Sequence, residues 1–410
     1  MLKKIPLHEL RLGMFIQSIE GSWVDHPFWR NRFVLKSSDD LNKIVSSPVK
    51  AVWIDVSKGL DVLEPPAAEV RPEMPDEVEA SMMEDRLRHA ANLSCSMQDE
   101  VARATAICNS ANREVRAMFS DARMGKAISL EVARQVSEEI AQSVTRNAHA
   151  LISLARLKTA DNYTYLHSVA VCALMVALAR QLGLSSEEVS AAGFAGLLHD
   201  LGKVDVPLEI LNKPGRLTEA EFALVRQHPA HGARRLMEAG VDHQEAIDVS
   251  LHHHEKLDGT GYPKQLSGDQ ISLMARMGAI CDVYDAITSN RPYKAGWDPA
   301  ESLARMSQWV NGHLDPRIFQ AFVQSLGIYP VGSLVLLSNH KLAVVVEQSG
   351  HSMLKPIVKT VFSTKSQMRL IPDRIDLSAP GCPHSILKRE DPKQWKLSGL
   401  AELWGGPPGH

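Results

Sequence analysis

Apolar positions along the chain change their rhythm from segment to segment. In the first sixty residues, short apolar or alternating pieces (Met14 to Ile19, Arg32 to Leu35, Ala51 to Val56) are separated by Gly, Asp, Ser and Pro, which predicts short strands. Glu64 to Pro75 sets four prolines among acidic residues; it cannot hold a helix and reads as a linker. From Asp76 to about Lys158 there is no proline, and Ala, Glu, Arg, Met and Gln dominate, a strongly helical composition. Val132, Val136, Ile140 and Val144 recur every four residues as one apolar stripe, and Gly125 separates two long helices. The stripe serves either a homodimer through residues 76–158 or packing against its own domain.

From His149 to about Tyr329 the pattern is helical with clear punctuation. Gly183 ends one helix, and Ser185 with Glu188 caps the next. Thr218 with Glu221 opens another, which His228-Pro229 must break or kink. Asp258 to Pro263, rich in glycine, demands an irregular loop. After Pro330, Leu334 to Leu337 and Leu342 to Val346 flank a turn and predict a hairpin, with another strand at Ile357 to Phe362. The tail beyond about Pro380 has no periodicity and is expected to be irregular or loosely attached. The expected architecture is mainly α: a β-rich domain (1–64), a proline-rich linker (65–75), a long helical segment (76–148), a helical bundle domain (149–329) and a β-rich extension with an irregular tail (330–410).

Composition narrows the class. A chain of 410 residues with net charge -3 has no global basic field for nucleic acid, so an anionic substrate must be held by a few local cations. Five cysteines (Cys95, Cys108, Cys172, Cys281, Cys382) without a CxxC pair fit buried thiols in a reducing cytosol. The amino terminus lacks the apolar run of a signal peptide, and the longest apolar stretches, such as Val169 to Leu178, are too short to span a bilayer. A cytoplasmic location without a membrane span is expected.

The chemistry lies in an ordered set: His167, His199-Asp200, Lys203, His228-Pro229, His253-His254 and Asp282. Any one of these histidines alone would be read as a hydrogen-bonded core residue. Imidazole and carboxylate together suit first-row divalent metals, and a bundle core lets facing helices bring distant ligands together. Adjacent helical residues point about 100° apart, so His199 and Asp200 suit two neighbouring metals, with Asp200 bridging through both oxygens. Asp282 follows an apolar stretch that would bury it, and a buried carboxylate wants a metal or a cation. His252, His231 and His149 take a structural reading, as does Asp285, which is expected to cap, to form a salt bridge or to support a ligand.

His199-Asp200 resembles the doublet of the HD phosphohydrolase superfamily. With Lys203, His228, His253-His254, Gly261-Tyr262-Pro263 and Asp282 to Ala286, the set resembles the HD-GYP family, bacterial phosphodiesterases that hydrolyse cyclic di-GMP; the likeness covers about residues 150 to 325. Residues 1 to about 60 resemble the domain of unknown function (the 3391 type) that often precedes HD-GYP domains. The resemblance implies an HD-domain bundle and the metal ligands His167, His199, Asp200, His228, His253, His254 and Asp282. It implies two divalent ions, iron or manganese first, with zinc, nickel, cobalt and magnesium also compatible. A bridging hydroxide would attack phosphorus, with Asp200 and Lys203 as catalytic residues. Lys203, Arg291 and Lys294 would hold phosphate oxygens.

The implied product is 5′-pGpG, with further cleavage to GMP left open, in a second-messenger system that sets biofilm against motility. Some family members carry a glutamate one turn before the first histidine and bind three metals. Here that position is Tyr163, so two metals are expected, although Asp161 leaves a third open. In the family the Gly261-Tyr262-Pro263 loop is also proposed as a partner surface, and a diguanylate cyclase is one partner the first domain could dock. Two alternatives stand beside the enzyme: a cyclic di-GMP sensor with little turnover, and an HD phosphohydrolase for another nucleotide.

Overall fold

The computed structural model describes residues 2–7, 10–19, 33–35, 37, 41, 51–60, 95–157, 163–289, 296–349 and 352–405. The proline-rich linker, the helical segment up to residue 94, Asp161, Arg291 and Lys294 lie outside them. The chain divides into two compact units, Met1–Met82 and Met83–His410.

In the first unit β1 (Leu2–Pro6), β2 (Phe15–Ile19), β3 (Phe33–Val34) and β4 (Ala51–Asp55) form an antiparallel sheet in the order β1-β4-β2-β3. In β4, Val52 and Ile54 are buried while Trp53 faces out, the alternation of a half-buried strand. Strand β1 was not expected from the sequence. It buries only Ile5, which pairs with Val52, so its place comes from the ladder rather than from its own pattern.

The second unit is mainly α. Helices α1 (Met97–Arg123) and α2 (Leu130–Arg156) begin at the serine caps Ser96 and Ser129, and Gly125, at φ 76°, lies in the turn between them. Val136, Ile140 and Val144 are buried with Ala104, Cys108 and Val115 of α1, so within this chain the stripe packs against its own domain. At Asn147 the backbone of α2 leaves helical geometry, and the Asn147 side chain caps the continuation by accepting from the amides of His149 and Ala150.

Glu100 is fully buried between α1 and α2, where Arg146 meets both of its oxygens at 2.8 Å, Ser143 donates at 2.9 Å and Arg103 donates at 2.9 Å. Burial alone would raise its pKa, but these hydrogen bonds outweigh burial and hold it at about 2. A depressed carboxylate contributes its stability above the unfolded-state value and loses it as pH falls towards the folded one. Glu100→Gln is therefore expected to destabilise the protein at pH 7 by on the order of 2–3 kcal/mol. The difference in denaturant midpoint from wild type should shrink steadily from pH 4.5 towards pH 2. A midpoint difference independent of pH would remove the ionic account of this contact.

Helix α3 (Tyr163–Gln181) runs through the centre and is buried without interruption from His167 to Ala179. Its Thr164–Gln181 window, with mean hydropathy 1.2, is long and apolar enough on length and composition to cross a membrane, longer than the stretch read from sequence. Of that window 72% is buried inside the protein, and a helix apolar all round is what a bundle core requires. Helix α4 (Ser186–Leu198) starts at the Ser185–Glu188 capping box and crosses α3 closely, since a Cβ on Gly196 would come 3.0 Å from Cys172 Cα.

A 3₁₀ turn (Leu201–Asp205) and the short helices α5 (Leu208–Leu211) and α6 (Glu219–Val225) follow. Then come α7 (His228–Glu238), α8 (Gln244–His252), α9 (Leu273–Thr288), α10 (Pro299–Met306) and α11 (Pro316–Leu326). The Thr218–Glu221 capping box opens α6, and Pro229 sits in the first turn of α7, so the proline begins a new helix.

Strands β5 (Leu334–Leu337), β6 (Lys341–Ser349), β7 (Ser352–Ser363), β8 (Met368–Arg369), β9 (Arg374–Asp376) and β10 (Ile386–Arg389) make an antiparallel sheet ordered β10-β5-β6-β7-β8, with β9 also on β7. The tail is not loose up to residue 405. β10 pairs with β5, Trp404 is buried in the main core, and Leu397 and Leu400 pack against that core. These attachments are long-range and leave no local periodicity to read.

Candidate metal centre

Three histidines of the ordered set, His199, His228 and His253, are aimed by their own backbone neighbourhood. His199 is the C-cap of α4, and its Nδ1 lies 2.8 Å from the Gly196 carbonyl. His228 opens α7 with Nδ1 2.7 Å from the Val225 carbonyl, and His253 caps α8 with Nδ1 3.0 Å from that of Val249. A carbonyl only accepts, so these Nδ1 atoms carry a proton and each ring turns its Nε2 the other way.

Those Nε2 atoms meet in one buried place. Asp200, fully buried after α4, lies between two groups. Its Oδ2 is 3.3 Å from His167 Nε2 and 3.4 Å from His199 Nε2; its Oδ1 is 3.2 Å from His228 Nε2 and 3.8 Å from His253 Nε2. Asp282 on α9 sends Oδ1 to within 3.0 Å of His167 Nε2 and Oδ2 to within 3.8 Å of His254 Nδ1. Ligating atoms of His167, His199 and Asp282 lie within 4.8 Å of one another, as do those of His228, His253 and His254, and those of His199, Asp200 and His253. All seven expected ligands are thus brought together, with the two oxygens of Asp200 facing opposite groups.

The donor set fits divalent cations on structural grounds. His228 Nε2 and His253 Nε2 are 3.3 Å apart, so two lone pairs face each other unless a cation lies between them. His199 Nε2 and Asp200 Oδ1 are buried without an aligned hydrogen-bond partner. Their neighbours stand at ion-pair distance only, and orphaned buried polar atoms are costly.

Electrostatics agree. Burial, then the neighbouring imidazoles, pushes His253 well below its ordinary value, and burial takes His254 down to about 3, so both rings are neutral, the form a metal would need. Burial would raise Asp200 and Asp282, but Lys203 and His199 for the first, and His167 and His254 for the second, hold both well below the usual carboxylate range. Burial alone would lower His167, yet hydrogen bonds to Asp200, Asp282 and Asp285 carry it up to about 10. A metal entering there must displace that proton.

Lys203 is pinned by an ion pair to Asp200 Oδ2 and remains a quarter exposed, so its ammonium lies between the buried cluster and solvent. Arg123 of α1 donates to the carbonyls of Lys203 and Val206, and Arg235 of α7 pairs with Asp205, which fixes this turn from two sides.

Residues 135–318 match the family model for the HD domain, and residues 2–133 match the one for a domain of unknown function (DUF3391). Over 99% of its length the chain is 51% identical to cyclic di-GMP phosphodiesterase PA4108 of Pseudomonas aeruginosa, covering 96% of that protein. The chain belongs to the HD-GYP family. Two further similarities are partial. The cyclic di-GMP phosphodiesterase response regulator RpfG of Xanthomonas campestris is 41% identical over 36% of this chain and 39% of that protein. The 3'3'-cGAMP-specific phosphodiesterase 3 of Vibrio cholerae is 39% identical over 41% of this chain and 36% of that protein.

Around these candidate ligands the structure gives Asp285 one of the roles left open for it and adds Glu255, which had no role assigned. Asp285 Oδ2 lies 2.6 Å from His167 Nδ1, making a carboxylate–histidine pair behind the ligand, and Ser289 Oγ donates to its other oxygen at 3.2 Å. The signal was the i, i+3 spacing from Asp282, which puts both carboxylates on one face of α9. Glu255, nearly fully buried, accepts from the amides of Lys264 at 2.7 Å and Leu266 at 3.1 Å, and so holds the Gly261-Tyr262-Pro263 loop closed. Gly261 has no room for a Cβ, which would come 2.5 Å from Glu255 Cα. The loop sets the Tyr262 ring against the His254 ring, centroids 4.7 Å apart and 30° between planes. His252 pairs with Asp248, His231 approaches Asp205, and His149 sits on α2, all apart from the ligand groups. Arg291 and Lys294 lie outside the described residues, as does the Tyr163 side chain, although Tyr163 begins α3.

Asp285→Asn keeps the shape and removes the charge behind His167. Metal affinity is expected to fall about 10- to 100-fold, since such outer partners orient the ligand and raise its basicity. Manganese titration of the chelated protein checks this, and unchanged affinity would leave Asp285 a purely structural residue.

Proposed function

We propose that this HD-GYP chain hydrolyses cyclic di-GMP to 5′-pGpG, with GMP as the product of any further cleavage, using two divalent ions, iron or manganese, in the cytoplasm. The observation that carries the reading is Asp200 lying between two groups of imidazoles, in a chain 51% identical over nearly its whole length to a cyclic di-GMP phosphodiesterase. His167, His199, Asp200 and Asp282 would hold one ion, and Asp200, His228, His253 and His254 the other. Such a pair supplies an activated water at neutral pH and neutralises phosphate oxygens.

The chain's own residues do the rest. The backbone carbonyls and Asp285 keep the imidazoles in the ligating tautomer and orientation. Lys203, held beside Asp200 between the cluster and solvent, offers its ammonium to the scissile phosphate, with Arg291 and Lys294 proposed for the remaining phosphate oxygens. Rate then comes from positioning and charge neutralisation. Residues 149–329 are proposed as the catalytic domain, and residues 1–64 as a separate domain that receives a signal.

The test pairs elemental analysis of anaerobically purified protein with identification of the products from cyclic di-GMP. Two ions per chain and release of pGpG are expected. Tight binding without turnover in the metal-loaded protein would mark a sensor, and turnover of another nucleotide alone would move the chain to a different substrate.

A further inference from the structure

Arg226 lies between α6 and α7, two residues before His228, and its side chain is exposed. Its guanidinium carbon stands 4.7 Å from the centroid of the Tyr262 ring and 6.0 Å from that of Phe222. Tyr262 in turn lies on the ligand candidate His254 at 4.7 Å. A cation, an aromatic ring and a candidate ligand imidazole therefore form one column that runs from the His/Asp cluster to the exposed Arg226. Phe222, 47% exposed, sits one turn before Arg226 on α6.

Among the described residues no carboxylate pairs with Arg226, and its guanidinium stands over two aromatic rings instead. An exposed arginine held by rings, without an acidic partner, keeps its planar fork of N–H donors available to a ligand. It lies within about 10 Å of the His254 ring, roughly the reach of one nucleotide from phosphate to base.

Resting on the phosphodiesterase reading above, we propose that Arg226, with Phe222 and Tyr262, seats one purine of the bound dinucleotide and selects guanine over adenine. Guanine presents two adjacent acceptors, O6 and N7, to a guanidinium fork. Adenine presents N7 beside the N6 donor, which faces the fork donor to donor. The exposed Phe222 ring gives the base face an aromatic surface to stack on, a contact that accepts any base and so adds affinity without selectivity. Arg226 is thus a specificity-determining residue, distinct from the cations assigned to the phosphates.

The experiment compares cyclic di-GMP with cyclic di-AMP on manganese-loaded wild type, Arg226→Gln, Arg226→Lys and Phe222→Ala. The kcat/KM preference of wild type for the guanine substrate should fall about tenfold or more in Arg226→Gln, mainly through KM. Arg226→Lys should fail to restore it, because a point charge lacks the fork. Phe222→Ala should weaken both substrates alike. Metal content and thermal midpoint are measured on each variant, so that a general loss of structure is seen as such. A preference unchanged in Arg226→Gln overturns the proposal. So does full restoration by lysine, which would assign Arg226 to a phosphate. Absence of wild-type turnover would sink the phosphodiesterase reading instead, and equilibrium binding of the same two nucleotides would then decide the guanine preference by the same criteria.

Discussion

Asp200→Asn is expected to lower turnover of cyclic di-GMP by at least about 1,000-fold and to remove most of the bound metal. The substitution keeps the volume of the side chain, so packing around it is preserved. What changes is charge and donor number at a carboxylate whose two oxygens face the two imidazole groups. Oδ2 stands 3.3 and 3.4 Å from the Nε2 atoms of His167 and His199, and Oδ1 stands 3.2 Å from that of His228. An amide offers one oxygen and an N–H₂ group, so the variant side chain would keep an acceptor for only one of the two imidazole groups' ions. Lys203 also loses the carboxylate it pairs with.

Two measurements separate loss of metal from loss of chemistry. Elemental analysis reads stoichiometry. The manganese-induced rise in thermal midpoint reads affinity, because a ligand that binds only the folded state stabilises it by mass action. Wild type should gain stability with manganese and Asp200→Asn should gain far less. A variant with two ions and near-normal turnover would show that the bridging role is wrong.

How much of this site was legible along the chain depends on the kind of signal. The residues that meet in the cluster were legible because imidazoles and carboxylates are rarely ordered this way, and because the caps Ser185–Glu188 and Thr218–Glu221 mark where the helices begin. The aiming of the rings was not. It rests on carbonyls of Gly196, Val225 and Val249, which every sequence has and only a fold can direct. Asp285 and Glu255 were visible as charges, yet which one supports a ligand and which one closes a loop depends on neighbours distant in sequence.

The same limit applies to the fold. Helices α1 and α2 announce themselves through composition and Gly125, and the β5–β6 hairpin through its turn. Strand β1 buries one residue, and the attachment of the tail depends on β10 pairing with β5 and on Trp404, contacts with no local period. The hydropathy of α3 was visible, but a central bundle helix and a spanning one read alike until the burial partners are known.

The second large effect concerns a residue with no side chain. Gly202→Ala is expected to reduce turnover about 100-fold while the helices around it still form, since a displacement on the order of 1 Å is enough to spoil a reacting geometry. A Cβ at Gly202 would come 2.0 Å from the His228 carbonyl oxygen and 2.4 Å from the Gly232 amide nitrogen. Both obstacles are backbone of α7, so no rotamer change relieves them, and α7 must move. Gly232 has no slack either, because a Cβ there would meet Ser250 Oγ at 2.4 Å, and that hydroxyl donates to the His199 carbonyl at 3.1 Å. Moving α7 away from Gly202 therefore carries His228 from Asp200 and presses on the turn that holds His199. Overpacking of this kind destabilises by about 1–3 kcal/mol. Gly240→Ala supplies the control: at φ 73° it is strained as a non-glycine residue, but nothing lies within 4 Å of its Cβ. It should lose stability by roughly 1 kcal/mol and keep both metals and turnover. If Gly202→Ala behaves like Gly240→Ala, with two ions bound and the rate intact, then the close contact of the 3₁₀ turn with α7 does not set the position of His228.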